Sequence, residues 1–284
     1  MIPFEITYHR PRSIAEAVRL FDTLQQQGKK PLYYGGGTEI ITLSRLHLVA
    51  ADAVIDIKHI PECRALESNP HELVLGAALP LAALEEAEPF PLLTKAASEV
   101  ADRTARNQIT LGGNICGQFF YRETVLPFLL SDSQAVIAGK DGVRQCSIHD
   151  VFQRHIRLKP GQFLVQMKVD RSYASLPHFH RKRRKQGKVG YPLVTAAAIK
   201  KDGQIRVALS GMCPFPFRST EVEERLNARH LSLHDRIAGA IRALPRPILN
   251  DIEGSAAYRL FVLEQMLFDI IEELGGEETN GGLH

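Results

Sequence analysis

Apolar residues recur at helical spacing almost from the start of the chain. Ile14, Ala17, Val18, Phe21 and Leu24 fall on one helical face, and Ser13 with Glu16 supplies a capping box. The pattern predicts that this helix ends near Gly28 and that a short apolar strand, Pro31–Tyr34, follows. Residues 53–57 and 73–77 read as further strands. Helices are expected at 81–88 and 91–101, the second with Leu92, Leu93, Ala96, Ala97 and Val100 on one side. A short helix at 124–130 and a strand at 135–138, ending in the turn 139–142, complete this part.

The texture changes near residue 163. Strands are expected at 163–169, 178–184 and 194–199, and 205–210 answers the last across Asp202-Gly203, a hairpin dipeptide between two apolar runs. Helices follow at 219–227, 235–243 and 255–273. The last carries Tyr258, Leu260, Phe261, Leu263, Met266, Leu267, Ile270 and Ile271. The polar, glycine-rich end at 275–284 reads as a frayed tail. The whole is an α+β chain: a ligand-binding portion, then a meander of strands capped by helices, with a seam near 160–175.

Composition narrows the class. Of 284 residues, 44% are hydrophobic and 24% charged, enough apolar surface for a substantial core. The net charge of +3 is too mild to argue for nucleic acid or an anionic membrane. The N-terminus has no secretory pattern and no apolar run is long enough to span a bilayer, so the expected location is cytoplasmic. Cys63, Cys116, Cys146 and Cys213 lie far apart, which disfavours a zinc or iron–sulfur site on this chain and fits free thiols in a reducing compartment.

Two glycine motifs carry the candidate chemistry. The first, Leu32-Tyr33-Tyr34-Gly35-Gly36-Gly37-Thr38-Glu39-Ile40, runs from a strand into three glycines, a hydroxyl and a carboxylate. The second is Thr110-Leu111-Gly112-Gly113-Asn114. Glycine lets the main chain approach a ligand and expose its N–H groups, which suits an anionic diphosphate. Either motif alone could be a plain turn. Together they suggest a nucleotide clamp, with Thr38 and Asn114 adding side-chain donors. Neither a P-loop nor a Rossmann fingerprint is present.

The run His180-Arg181-Lys182-Arg183-Arg184-Lys185-Gln186-Gly187-Lys188 is the densest charge cluster. It reads first as a solvated strand and loop, with an anionic cofactor or a partner subunit as the alternative. His149, His155, His178, His180 and His234 form no ligand set, and no nucleophile elbow appears. Ligand loops without an evident acid, base or nucleophile suggest that a cofactor does the chemistry.

These residues resemble a family. Gly35-Gly36-Gly37-Thr38-Glu39-Ile40 and Arg106-Asn107-Gln108-Ile109-Thr110-Leu111-Gly112-Gly113-Asn114-Ile115 look like the FAD-binding medium subunit of molybdenum hydroxylases, such as the flavin subunits of xanthine and carbon monoxide dehydrogenases. The opening from Phe4 to Ser13, the segment Arg122 to Pro127, and the stretch from Phe179-His180-Arg181 to Ala198 resemble the family in the same order. The resemblance implies a two-subdomain FAD-binding domain of the vanillyl-alcohol oxidase (PCMH-like) type over 1–170, its internal boundary near 55–65. A smaller α+β domain with an antiparallel sheet and helices would span 171–275, with a disordered tail at 276–284.

Family contacts to FAD carry over onto Leu32, Tyr33, Tyr34, Gly35, Gly36, Gly37, Thr38, Glu39 and Ile40, with Gly35 to Thr38 at the diphosphate. They also carry over onto Thr110, Gly112, Gly113, Asn114, Gly117, Glu123, Val165 and Arg181. Glu123 stands where aspartate is common, and Arg181 where lysine is common. The implied role is electron relay: clusters of the two-iron–two-sulfur type on a small subunit would feed FAD, and NAD would receive a hydride. A large subunit with molybdopterin would oxidise the substrate, a purine of the xanthine type first, carbon monoxide, nicotinate or an aldehyde otherwise. A stand-alone FAD oxidoreductase and a non-catalytic nucleotide-binding adaptor are the rivals from other classes.

Overall fold

The computed structural model describes residues 5–187 and 190–276. Phe4, Lys188 and the expected tail from 277 onward lie outside the described residues.

The chain opens with β1 (Thr7–His9), α1 (Ile14–Gln26), β2 (Pro31–Tyr34), α2 (Thr38–Arg45) and β3 (Ala53–Asp56). Ser13 caps α1 by accepting from the Glu16 N–H, while Glu16 reaches back to the Arg12 N–H, one residue beyond the usual capping box. The three strands form a parallel sheet in the order β1-β3-β2. Their C-terminal ends therefore point the same way, and β2 delivers the glycine triplet at that edge.

Then come β4 (Leu66–Ser68), β5 (Glu72–Gly76), α3 (Leu81–Ala87), α4 (Pro91–Ser98), α5 (Arg103–Arg106), α6 (Leu111–Cys116) and α7 (Val125–Leu130). β6 (Gln134–Gly139), β7 (Gly142–Ser147), α8 (Ile148–Val151) and β8 (Phe163–Asp170) follow. The five strands make an antiparallel sheet in the order β4-β5-β8-β6-β7. All five helices α3–α7 come between β5 and β6, and the buried side chains of Leu81, Leu84, Phe90, Leu92, Leu93 and Phe128 join the core under this sheet.

A third sheet is built from β9 (His178–Arg184), β10 (Pro192–Lys201), β11 (Gln204–Cys213) and β12 (Phe215–Arg218), antiparallel in the order β12-β11-β10-β9. α9 (Thr220–Leu226), α10 (Leu233–Arg242) and α11 (Ala256–Gly275) complete the chain. β10 is buried on both faces. Ala197 and Ile199 join the core of the first two sheets, while Val194, Ala196 and Ala198 join the core beneath α9–α11. A strand sandwiched this way reads as an unbroken small-apolar run, which is why Ala196-Ala197-Ala198 sits there.

The expected helix at 91–101 stops at Ser98, because Ala101 takes a left-handed backbone (φ +48°) and Asp102 caps α5. α2 and α6 were not expected: α2 starts directly at the glycine triplet, and α6 carries Gly112 and Gly113, which disfavour a helix interior. Tyr258 and Phe261 are not core residues: they stack on each other on the exposed side of α11. Arg259 beside them is fully buried, its guanidinium donating to the carbonyls of Gly211 and Gly254 and paired with Asp251.

Candidate functional site

A cavity of about 590 Å³ opens where the parallel sheet, the α6 segment and the third sheet meet. That volume lies within the ordinary range for small-molecule and cofactor sites. Both glycine motifs line it. Tyr33, Gly35, Gly36, Gly37, Thr38, Glu39 and Ile40 form one wall. Thr110, Gly113, Asn114 and Gly117 form the facing one.

The glycines bring the walls together as well as lining them. A Cβ on Gly36 would stand 1.7 Å from the Gln108 carbonyl oxygen, and one on Gly35 2.6 Å from the Thr110 hydroxyl. The two motifs thus pack main chain on main chain. Gly37 has φ +74° and its missing Cβ leaves room for the Tyr34 hydroxyl. Gly37 is also the N-cap of α2 and offers no side-chain cap, so the first-turn N–H groups of α2 keep no partner from the cap. Thr38, Glu39 and Ile40 present that helix start to the cavity, a placement that favours an anion.

The second motif is not an open loop. Thr110 caps α6, its hydroxyl accepting from the Gly113 N–H. Gly112 packs inward, where a Cβ would lie 2.6 Å from Ala77 Cβ, so it serves the core rather than the cavity. Asn114 Oδ1 accepts from both the N–H and the hydroxyl of Thr124, leaving its NH₂ donors as the group available to a ligand.

The cavity carries two carboxylates, and both are occupied. Glu39 accepts from the N–H groups of Gln118 and Phe119, which ties α2 to the segment after α6. Glu123 is buried and takes the Lys182 ammonium at 2.6 Å together with the Thr195 hydroxyl. Cys116 also lines the wall, but burial pushes its thiol up to about 12, so it stays protonated at neutral pH. These surroundings fit an FAD: a helix start and glycine main chain for its diphosphate, and apolar or aromatic walls at Val100, Ile109, Phe119, Tyr121 and Tyr191.

Some expected contacts fall elsewhere. Leu32 and Tyr34 belong to the strand behind the glycine turn and do not line the cavity. Val165 is buried in β8, its carbonyl accepting from the Ala77 N–H. Arg181 does not line the cavity. Strand alternation puts it on the α11 side, paired with Asp269 and Glu273, and puts Lys182 at the cavity instead. The basic run is solvated only in part: Arg183, Lys185 and Gln186 are exposed, while His180, Lys182 and Arg184 are not. Lys182 is sealed against Glu123, Arg184 pairs with Glu99, and the His180 Nε2 is shielded from solvent. Val100, Ile109, Phe119, Tyr121, Lys182 and Tyr191 are cavity residues that sequence reasoning missed. The alternation of β9 could have revealed Lys182, while nothing local marked the tyrosines.

The FAD-binding domain of molybdopterin dehydrogenases matches residues 3–170. The carbon monoxide dehydrogenase medium chain of Hydrogenophaga pseudoflava is 26% identical over 280 residues, spanning 94% of this chain and 96% of that protein. The putative xanthine dehydrogenase FAD-binding subunit XdhB of Escherichia coli K12 is 24% identical over 288 residues, spanning 94% and 95%. Among solved structures, a carbon monoxide dehydrogenase from Hydrogenophaga pseudoflava superposes with a TM-score of 0.85 at 23% identity, covering 97% of this chain and 99% of that one. The chain belongs to the family of FAD-binding domains of molybdopterin dehydrogenases, and so to the flavin-dependent oxidoreductase subunits. No helix among the described residues is long and apolar enough to cross a membrane.

Proposed function

We propose that this chain is the FAD-carrying electron-transfer subunit of a molybdenum-containing hydroxylase, working beside a molybdopterin-binding large subunit and an iron–sulfur small subunit. Its complex oxidises a purine of the xanthine type and passes the electrons to NAD. One observation carries the reading: two glycine motifs far apart in sequence close on a single cavity that the start of α2 faces. The family match supports FAD as the occupant, and the relatives include both carbon monoxide and xanthine dehydrogenase subunits.

FAD bound here supplies a two-electron store between one-electron carriers and a hydride acceptor. The chain's own residues hold and orient it. Main-chain N–H groups at Gly36 to Ile40 and the Asn114 amide offer donors to the diphosphate, and Lys182 fixes Glu123 at the far wall. The Cys116 thiol is protonated and both carboxylates are engaged, so none of these three groups offers a ready nucleophile.

The visible spectrum of the purified chain tests the cofactor. A flavin band near ~450 nm, released by acid, is expected; a chain still colourless after incubation with FAD would sink the reading. Purification with its partner subunits tests the rest. Reduction of NAD on adding xanthine supports the purine assignment, whereas reduction only on adding carbon monoxide, nicotinate or an aldehyde replaces it.

A further inference from the structure

The glycine turn is held from behind by a charged pair outside the cavity. Asp56, at the end of the central strand β3, is fully buried. Its carboxylate accepts from the Tyr8 hydroxyl, from the Lys58 N–H at 2.9 Å and from the Lys58 ammonium at 2.9 Å. Each strand of the parallel sheet contributes a member: Tyr8 from β1, Tyr34 from β2 in register with Asp56, and Asp56 from β3. The Lys58 ammonium also lies 4.5 Å from the centre of the Tyr34 ring and donates to the Gly35 carbonyl at 2.7 Å.

That last bond fixes more than a carbonyl. A trans peptide points its C=O and the following N–H in opposite directions. The bond between Gly35 and Gly36 is trans, the cis bond among the described residues being Arg246–Pro247. With the Gly35 carbonyl drawn toward Lys58, the Gly36 N–H faces the other way. Lys58 does not line the cavity, and Gly35, Gly36 and Gly37 do. Glycine resists none of the alternative peptide orientations, so a turn of three glycines needs an outside group to select one.

We propose that Lys58, anchored by Asp56, is a positioning residue for the diphosphate site: it orients the Gly35–Gly36 peptide so that the Gly36 N–H is presented to the ligand. The inference rests on the FAD reading and adds to it a residue that never touches the cofactor. Burial raises the Asp56 carboxyl, but the hydrogen bonds from Tyr8 and Lys58 outweigh it and hold the carboxyl below its ordinary range, so the anchor stays charged at neutral pH.

The test measures binding of FAD, FMN and riboflavin to the full apo chain, for the wild type, Lys58→Met and Lys58→Arg. Riboflavin has no phosphate and serves as the control for an intact flavin pocket. Lys58→Met is expected to weaken FAD about tenfold or more and to leave riboflavin within about twofold, the loss of one charge-assisted hydrogen bond acting only through the phosphates. Lys58→Arg, which can reach both the carbonyl and Asp56, is expected to restore FAD to within about threefold. Equal loss of all three flavins in Lys58→Met, misfolding included, with no recovery in Lys58→Arg assigns Lys58 to the fold and overturns the inference. So does FAD binding unchanged in Lys58→Met. A wild-type chain that binds none of the flavins overturns the FAD reading itself, a separate outcome.

Discussion

Lys182 Nζ lies 2.6 Å from Glu123 Oε2, and the two side chains are 1% and 3% exposed. The pair joins the third sheet to the segment between α6 and α7, and Lys182 donates as well to the Glu99 carbonyl at 2.9 Å. Removing one partner strands a buried charge. Lys182→Met should cost about 3–5 kcal/mol in urea unfolding, while the double variant Lys182→Met/Glu123→Leu should recover most of it. Arg181→Ala, which breaks a part-exposed pair with α11, should cost less than about 1 kcal/mol and leave flavin retention intact.

Gly36→Ala should be unusually damaging for so small a change. Its methyl would collide with the Gln108 main chain, which has no rotamer to move aside. The expected outcome is loss of FAD retention with destabilisation of about 1–3 kcal/mol, read by flavin absorbance and thermal melting. Gly113→Ala meets a side-chain hydroxyl at 2.8 Å and should be milder.

Thr110→Ala removes the cap of α6 and should lower stability by about 1 kcal/mol, with weaker flavin binding because Gly113 and Asn114 lose their anchor. Thr110→Ser keeps the hydroxyl and should behave as the wild type. A Thr110→Ser variant as impaired as Thr110→Ala would mean that the methyl group, not the cap, matters.

His180 sets a pH dependence. Burial pushes its imidazole down to about 4 from an ordinary 6.5, against the pull of Glu99 and together with Lys182, Lys95 and Arg184. The unfolded chain therefore binds a proton that the folded chain refuses between those values. Stability is full above about pH 6.5 and falls as pH drops toward 4, by on the order of 1–3 kcal/mol from this group. His180→Leu should flatten that part of the curve; an unchanged slope would remove His180 as its source.

Local signals were legible where local physics decides. Ser13 and Glu16 announced α1, and Asp202-Gly203 announced the β10–β11 hairpin, because caps and tight turns are encoded within a few residues. α6 was hidden, since Gly112 and Gly113 are poor helix formers and their helix exists to pack against Ala77 and accept the Thr110 cap. The charges of β9 read as solvated because their partners, Glu99 and Glu123, come from residues far earlier in the chain. The glycine motifs themselves were found. That Gly35 and Gly36 press on Thr110 and Gln108 was not, since contact between distant segments leaves no trace in either one alone.

The cavity draws its walls from distant parts of the chain: Gly36 and Asn114 come from its first half, Lys182 and Tyr191 from its second. Whatever fills it is therefore bound only by the assembled chain, and mass action makes the cofactor a term in the folding equilibrium. Free FAD at a hundred times its dissociation constant would add about 2.7 kcal/mol. Flavin supply then governs how much of this protein survives as well as how much of it works.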